Sequence, residues 1–214
     1  DCMTNYLKPS SLILLCCCLL IAGCSGGRYV IQDRNWQPYD LEPAAFTRHL
    51  YSCQINGSAG IRKYSFSGLL LVKEMEDGSK RVVFQNEIGF TFFDFEWDTA
   101  GMFRVVQIQE QMNKEPLIKT LRKDFEVLFR VNFSAAQING DRTLVRTRLQ
   151  KGNAVYETGK DDKKNIYILD EKERKVVSFI MAAGAPLSGL PASLTITHHK
   201  ANFGIRLKTI PSNN

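Results

Sequence analysis

Short segments that alternate apolar and polar residues recur along most of this chain, and turn residues separate them. Successive side chains of a strand point to opposite faces, so this pattern predicts strands with one buried face. The segments are residues 64–74, 81–86, 89–98, 103–109, 143–150, 154–158, 165–169, 175–181, 194–199 and 203–209. Because short turns join neighbouring segments, the sequence predicts an antiparallel sheet of about ten or eleven strands.

The turn after residue 74 contains the strongest hairpin signal in the chain. Asp77 and Gly78 are residue types that tolerate positive φ, which both central positions of a type I′ turn require. We therefore expect a hairpin at this point. By contrast, residues 43–50 suit a short helix as well as a strand, and both alternatives stay open.

The strand pattern is interrupted once, at residues 115–131, where apolar residues recur at helical spacing. These residues are Leu117, Leu121, Phe125, Leu128 and Phe129. They fall on one stripe of a helix, and charged residues occupy the opposite side. The proline at position 116 is tolerated because it lies in the first turn. The segment predicts one amphipathic helix of about four turns.

Residues 89–98, GFTFFDFEWD, are the most aromatic stretch of the chain. In a strand, Phe93, Phe95 and Trp97 lie on one face, which therefore suits an apolar interior. The same alternation places Phe92 and three carboxylates on the other face. No second signal of a catalytic acid or of a calcium site accompanies these carboxylates, so we expect a solvated face.

The apolar stripe of the helix is the natural cover for the apolar face of the sheet. The expected fold is therefore mainly β with one inserted helix, in the α+β class. In this fold a curved antiparallel sheet, or incomplete β-barrel, is covered by one amphipathic helix. The side chains expected to line the interior between the two layers are Phe93, Phe95, Trp97, Leu121, Phe125 and Phe129.

The order of these elements resembles the Lol-type lipoprotein-sorting fold and a group of poorly characterised envelope lipoproteins from the Bacteroides lineage. The residues that carry the resemblance are YSFSGLLLVKEMEDGSKRVVFQNEIGFTFFDFEWD and MFRVVQIQEQMNKEPLIKTLRKDFEVLF, and the likeness spans about residues 46–209. In the Lol-type half-barrel a plugged barrel encloses an apolar cavity. The resemblance therefore implies that the six interior residues line a lipid-binding cavity. For the protruding apolar residue of the Lol receptor, the candidates here are Leu187 and Leu190.

The N-terminal segment contains an uncharged apolar run at residues 12–23, LILLCCCLLIAG, after a single lysine. Its length suits a secretory signal and falls short of the ~20 residues that a spanning helix needs. Residues 20–24, LIAGC, resemble the lipobox of bacterial lipoproteins. The resemblance implies that Cys24 is the lipid attachment site and that cleavage follows Gly23. An ordinary signal peptide and an uncleaved anchor are the alternatives, and Met3 is the expected start.

Cysteine usage and charge exclude several functional classes. Of six cysteines, only Cys53 lies beyond the signal and the lipobox, so we expect a buried free thiol and no disulfide framework. The net charge is +6, and the charge-rich segment 160–174 mixes both signs, which predicts a solvated surface and no nucleic-acid partner. His198 and His199 would point to opposite faces of one strand, which argues against joint metal ligation.

These signals predict a four-part chain: a signal peptide at 1–23, a lipidated tether and lead-in at 24–45, a Lol-like half-barrel domain at 46–210, and a tail at 211–214. We expect a non-enzymatic envelope lipoprotein with no catalytic residues, metal or other cofactor besides the covalent lipid. It would be anchored at the periplasmic face of the outer membrane and would bind acyl chains or lipidated proteins. The alternative is an assembly subunit of an envelope complex, with a packed interior and a protein partner.

Overall fold

The computed structural model describes Tyr29 and residues 35–59, 61–133, 135–159, 163–182 and 189–211. Within these residues the chain forms an open, curved antiparallel sheet of 13 strands and one helix, α1. The expected fold class is therefore confirmed. The predicted signal peptide, Cys24 and Leu187 lie outside the described residues, as do residues 212–214.

The ten predicted strand segments and the helix follow one another as expected, and three further strands form, so the sheet has 13 strands where ten or eleven were predicted. The strands are β1 (Gln37–Tyr39), β2 (Arg48–Ala59), β3 (Arg62–Glu74), β4 (Lys80–Gln85), β5 (Thr91–Trp97), β6 (Phe103–Ile108), β7 (Ala136–Ile138), β8 (Leu144–Arg148), β9 (Asn153–Thr158), β10 (Lys164–Leu169), β11 (Lys175–Met181), β12 (Ser193–His198) and β13 (Phe203–Thr209). Helix α1 spans Glu115–Phe129, between β6 and β7. Residues 43–50, where helix and strand were both open, lead into the strand β2.

The order of strands across the sheet is β1-β7-β8-β9-β10-β11-β12-β13-β2-β3-β4-β5-β6. Most strands lie beside their neighbours in sequence, as short turns require. Two connections differ. Helix α1 links β6 at one edge to β7 near the opposite edge, and the last strand, β13, pairs with β2 in the middle of the sheet.

The face of the sheet that α1 covers, here called the inner face, carries most of the core. Residues opposite one another on paired strands share a face. One such row runs through Tyr51, Leu70, Phe84 and Phe93 on β2 to β5, and each of these side chains is at most 1% exposed. Burying one large apolar side chain contributes about 1.5–3 kcal/mol, so rows of this kind hold the sheet and the helix together.

Helix α1 begins at the predicted residue and ends at Phe129, two residues before the end of the predicted segment. Its first turn contains Pro116, whose missing N–H would have no partner inside the helix, and it begins without a side-chain cap. At the other end Arg130 takes the left-handed conformation (φ 56°), and its N–H donates to the Glu126 carbonyl. A further backbone bond, from the Ala44 N–H to the Phe129 carbonyl (2.8 Å), fixes this end to the segment before β2.

The hairpin predicted at Asp77-Gly78 is present, but its turn differs from the expected type. Only Gly78 of the pair has positive φ (83°). The Met75 N–H donates to the Ser79 carbonyl, and the Gly78 N–H donates to the Met75 carbonyl. Asp77 instead accepts bonds from the backbone N–H and the hydroxyl of Ser79. The longer loop therefore needs one glycine in the left-handed region instead of two adjacent positive-φ residues.

Strand β5 departs from the strict alternation that the sequence suggests. Its pairing with β4 shifts register between Phe84 and Gln85, and its pairing with β6 shifts between Asp94 and Phe95. Such bulges turn side chains away from the face that alternation assigns. The expectation that Phe92 shares a solvated face is wrong, because its ring lies 4.9 Å from that of inner-face Phe84.

The carboxylates of β5 are also less solvated than expected. Asp94 is 7% exposed, and its two oxygens accept bonds from the Arg81 Nε (2.8 Å) and Nη2 (2.6 Å). Glu96 accepts two bonds from Arg104 on β6. These contacts make the acidic face of β5 a row of cross-strand ion pairs, which the spacing of residues within one strand cannot reveal.

Candidate functional site

The six residues predicted for the interior come together between β5 and α1. Phe93, Phe95 and Trp97 lie on β5, Leu121, Phe125 and Phe129 lie on α1, and each side chain is 0–1% exposed. Trp97 is the centre of the group. Its ring lies 6.2 Å from that of Phe125 and 5.6 Å from that of Phe129.

Ring contacts continue along both layers of this interior. Phe93 stacks on Phe95 at 4.5 Å between ring centroids, and Phe125 stacks on Phe129 at 5.8 Å. The layers meet where Phe93 lies 6.3 Å from Phe125. The Trp97 Nε1–H donates to Glu126 Oε1 at the edge of the helix, which satisfies the one polar atom of this group. The six side chains thus pack against one another.

One polar pair is buried between α1 and the sheet, and the sequence pattern did not reveal it. Asp124 is 1% exposed, and its Oδ2 lies 2.9 Å from the Nε2 of His198 on β12. Burial raises the pKa of Asp124, and the hydrogen bond to His198 offsets part of this rise. Asp124 lies three residues after Leu121, on the apolar stripe of the helix. A carboxylate at this position could have indicated that it is buried with a partner.

The inner face continues beyond α1 at the end of the sheet where the β2–β3 and β4–β5 turns lie. There a chain of ring contacts joins Tyr64, Phe66, Phe92 and Phe90, here called the aromatic rim. The successive centroid distances are 6.1, 5.3 and 5.6 Å. Phe66 shares the inner face because it pairs with buried Ile55. Unlike the interior, the rim is partly open to solvent.

The tip of the β4–β5 turn presents apolar side chains next to the rim. Asn86 Oδ1 accepts bonds from the N–H groups of Ile88 and Phe90, so the turn has a defined shape. Ile88 is 90% exposed and Phe90 is 45% exposed. On the β2–β3 turn, which extends further at the same end of the sheet, Ile61 is 100% exposed. Apolar side chains this exposed contribute little to folding and are available for contact.

A hollow of about 530 Å³ adjoins the rim between the β2–β3 hairpin and the β12–β13 turn. Its lining includes Lys63, Tyr64, His198 and Phe203. Tyr64 belongs both to the aromatic rim and to this hollow. Its ring lies against Gly57, and the Cβ of any other residue at position 57 would clash with it. The volume falls within the range of about 300–1,000 Å³ that is usual for ligand pockets.

Other residues singled out in the sequence lie elsewhere. Cys53 is a free, buried thiol on β2, and burial raises its pKa. His199 lies 2.7 Å from the Ser178 hydroxyl, whereas His198 reaches Asp124, so the two histidines point to opposite faces. Leu190 is buried, at 4% exposed, and so does not protrude. Among the described residues, no three potential metal ligands gather, and no helix has the length and apolarity to cross a membrane.

The fold defines a class: an open, curved antiparallel sheet covered on its inner face by one helix. No family model and no curated protein matches the chain. Among solved structures, the chain is similar to a DUF1329 family protein from Desulfovibrio piger, with a TM-score of 0.42 and 9% identity. It is also similar to a putative outer membrane lipoprotein-sorting protein domain from Vibrio parahaemolyticus, with a TM-score of 0.38 and 9% identity. Each likeness covers 77% of this chain and 84% of the other.

Proposed function

We propose that this chain is a lipid-anchored envelope protein that binds acyl chains or the lipidated ends of other proteins, without catalysing a reaction. The bound hydrocarbon would lie on the aromatic rim and in the hollow that adjoins it. Cys24 would hold the anchor at the periplasmic face of the outer membrane. The apolar run before Cys24 and the resemblance of residues 20–24 to a lipobox support an anchor at Cys24.

The aromatic rim is the observation that carries the proposal. A chain of four aromatic side chains continues the apolar inner face beyond the helix and stays accessible, whereas soluble proteins bury such groups when they can. Flexible hydrocarbon fits this surface because it gains from contact with apolar area without requiring directed hydrogen bonds. Lys63 in the hollow supplies a cation for an acidic head group.

The packing of the interior shifts the proposed site away from the six residues first considered. Their side chains belong to one buried cluster between β5 and α1, so in the proposal they form a rigid floor beside the ligand. A dense core resists opening because its side chains already interdigitate. Hydrocarbon can reach the rim without moving α1, which makes binding there less costly than insertion under the helix.

Photo-crosslinking tests the proposal on the full chain in its own membrane. A palmitate analogue with a diazirine group should label the β2–β3 turn and residues 86–92. The double variant Ile88→Ser with Phe90→Ser should reduce labelling about tenfold, because it removes much of the accessible apolar area. Ile180→Ser is the matched control, since Ile180 is also exposed (47%) but pairs with Thr195 on the outer face. Equal labelling of the wild type and both variants would contradict the proposal.

The second candidate is an assembly subunit that contacts another envelope protein, and the filled interior favours it. An interior filled by the protein's own side chains needs no ligand to complete it. In that case the exposed Ile61 and Ile88 would belong to a protein interface. The same crosslinking experiment, with a photoreactive amino acid at position 61 or 88, separates the two. Recovery of one protein partner in place of lipid would favour the subunit.

A further inference from the structure

A second hollow, of about 430 Å³, lies where α1 meets three turns of the sheet. It is called the basic hollow here because five basic side chains line it. They are Lys123 on α1, Lys151 on the β8–β9 turn, Lys172 and Arg174 on the β10–β11 turn, and Lys200 on the β12–β13 turn. Only two carboxylates, Asp170 and Glu171, accompany them. The charge therefore converges from four separate segments of the chain.

Asp170 fixes the geometry of one side of this hollow. Its Oδ2 accepts bonds from the Arg174 Nε (2.9 Å) and the Lys200 Nζ (2.9 Å). Its Oδ1 accepts backbone N–H bonds from Lys172 and Arg174, each 3.0 Å long. These bonds hold the pKa of Asp170 well below its ordinary value. A guanidinium has five N–H donors and an ammonium has three, so both cations keep donors for another acceptor.

Lys123 forms the opposite side and lacks such a partner. It is half-buried, and its Nζ makes a long contact (3.5 Å) with the Lys151 carbonyl oxygen. Within the described part of the chain, no carboxylate oxygen comes within 4.0 Å of the amines of Lys123, Lys151 or Lys172. Burial lowers the pKa of Lys123, and the charges of Asp124 and Glu126 offset this only in part. A bound anion would relieve the cost of this desolvated ammonium.

We infer that the basic hollow is a binding site for a phosphomonoester group, either free in solution or on a lipid headgroup. A dianion with several acceptor oxygens matches cations that approach from four segments. The Nε and Nη2 of Arg174 contact Asp170 Oδ2, and its Nη1 group can donate to the dianion. The basic hollow and the hollow beside the rim share no lining residue, so the two sites are distinct. They lie on either side of the β12–β13 turn, where Lys200 lines the first and Ala201 and Asn202 line the second.

Titration of the full chain with inorganic phosphate, in a non-ionic detergent, tests this site. We expect saturable binding that Lys123→Met weakens about tenfold, because it removes one charge-assisted hydrogen bond. The matched control is Lys119→Met, which removes the same charge from the same helix. Lys119 pairs with Glu115 and does not line the hollow. If Lys123→Met fails to fold, Lys172→Gln with Lys200→Gln replaces it, because both side chains are exposed.

Two results would overturn the inference: no saturable binding at millimolar phosphate, or an equal loss of affinity in Lys119→Met. The source of the phosphate is then found with the full chain anchored in phosphatidylcholine nanodiscs. If phosphatidic acid in the disc competes with free phosphate, and an equally charged carboxylate lipid does not, the ligand is a lipid headgroup. If neither lipid competes, the ligand is a soluble phosphomonoester. Photo-labelling of the rim should stay unchanged in Lys123→Met, so this site can fail independently of the proposed function.

Discussion

The two ends of the inner face use the same kind of side chain for different purposes. Under α1, Phe93, Trp97 and Phe125 are almost completely buried and touch across the two layers. Beyond α1, Phe66 and Phe90 each contact the ring of Phe92, and this part of the aromatic rim remains accessible to solvent. The difference lies in what covers each end, because the sheet carries aromatic residues along both.

Whether an aromatic residue stabilises the fold or remains available for contact therefore depends on whether α1 covers it, and not on the residue type. The helix and the β5 rings exclude water at one end, so truncation there leaves an empty volume. At the other end the same truncation replaces a contact with solvent and leaves no void. Stability measurements should thus separate the two ends clearly.

Phe125→Ala is expected to have the largest effect on stability. The ring contacts Phe93, Trp97 and Phe129, so its removal should lower the free energy of unfolding by about 3–5 kcal/mol. Urea denaturation followed by tryptophan fluorescence measures this loss. Phe125→Leu, which fills most of the volume, serves as the control and should recover much of the stability. A loss below about 1 kcal/mol for Phe125→Ala would mean that the covered end is loosely packed.

His198→Ala is expected to be nearly as damaging, by about 3 kcal/mol at neutral pH. It leaves the buried Asp124 carboxyl group without the hydrogen bond to the imidazole. His199→Ala provides the comparison, since it removes only the contact with the Ser178 hydroxyl and should cost about 1 kcal/mol. Similar losses for the two variants would show that the buried pair has no special role in holding α1.

Asp124→Asn should change how stability depends on pH. Because the pKa of Asp124 is raised in the folded state, the native protein holds this proton more tightly than the unfolded chain does. Its contribution to stability is therefore greatest below the unfolded pKa of about 4 and declines as pH rises through the folded pKa. The variant lacks this decline. Denaturation curves from about pH 4 to pH 7 should show Asp124→Asn gaining on the wild type as pH rises.

Ile88→Ser and Ile61→Ser should have the smallest effects, within about 0.5 kcal/mol of the wild type. Both side chains are almost fully exposed at turn tips, so the folded state makes few contacts with them. Thermal unfolding of each variant checks this. A larger loss in either one would indicate that the open end is packed against another part of the chain, and would remove the contrast with the covered end.

The regular part of the fold was predictable because its signals are local. The segments 175–181 and 203–209 match β11 and β13 residue for residue, and α1 begins at the expected Glu115. Strands β1 and β7, three residues each, carry too little alternation to be recognised. They form by pairing, β1 with β7 and β7 with β8. Only residues 48–50 of strand β2 lie in the segment 43–50 that was left open, and residues 51–59 carried no strand prediction. Pairing with β3 and β13 forms this strand.

The candidate site was only partly predictable, for a different reason. The interior set, such as Trp97 and Phe125, follows from periodicity, because period alone fixes which face a side chain occupies. The exposure of the aromatic rim depends on the bulges of β5 and on the position of α1 over the sheet. Neither can be read from the sequence of one strand. The basic hollow depends on turns that are distant in sequence, such as those containing Lys151 and Lys200.

The place of β13 has a consequence for synthesis of the chain. Strand β13 (Phe203–Thr209) follows the other described strands in sequence, but it lies in the middle of the sheet and joins the half built from β2–β6 to the half built from β7–β12. Until it leaves the ribosome, β2 and β12 each present an unpaired edge, and unpaired edges invite aggregation. During translation the two halves therefore stay unjoined until β13 is made, so a chain that stops before this strand would leave two incomplete sheets.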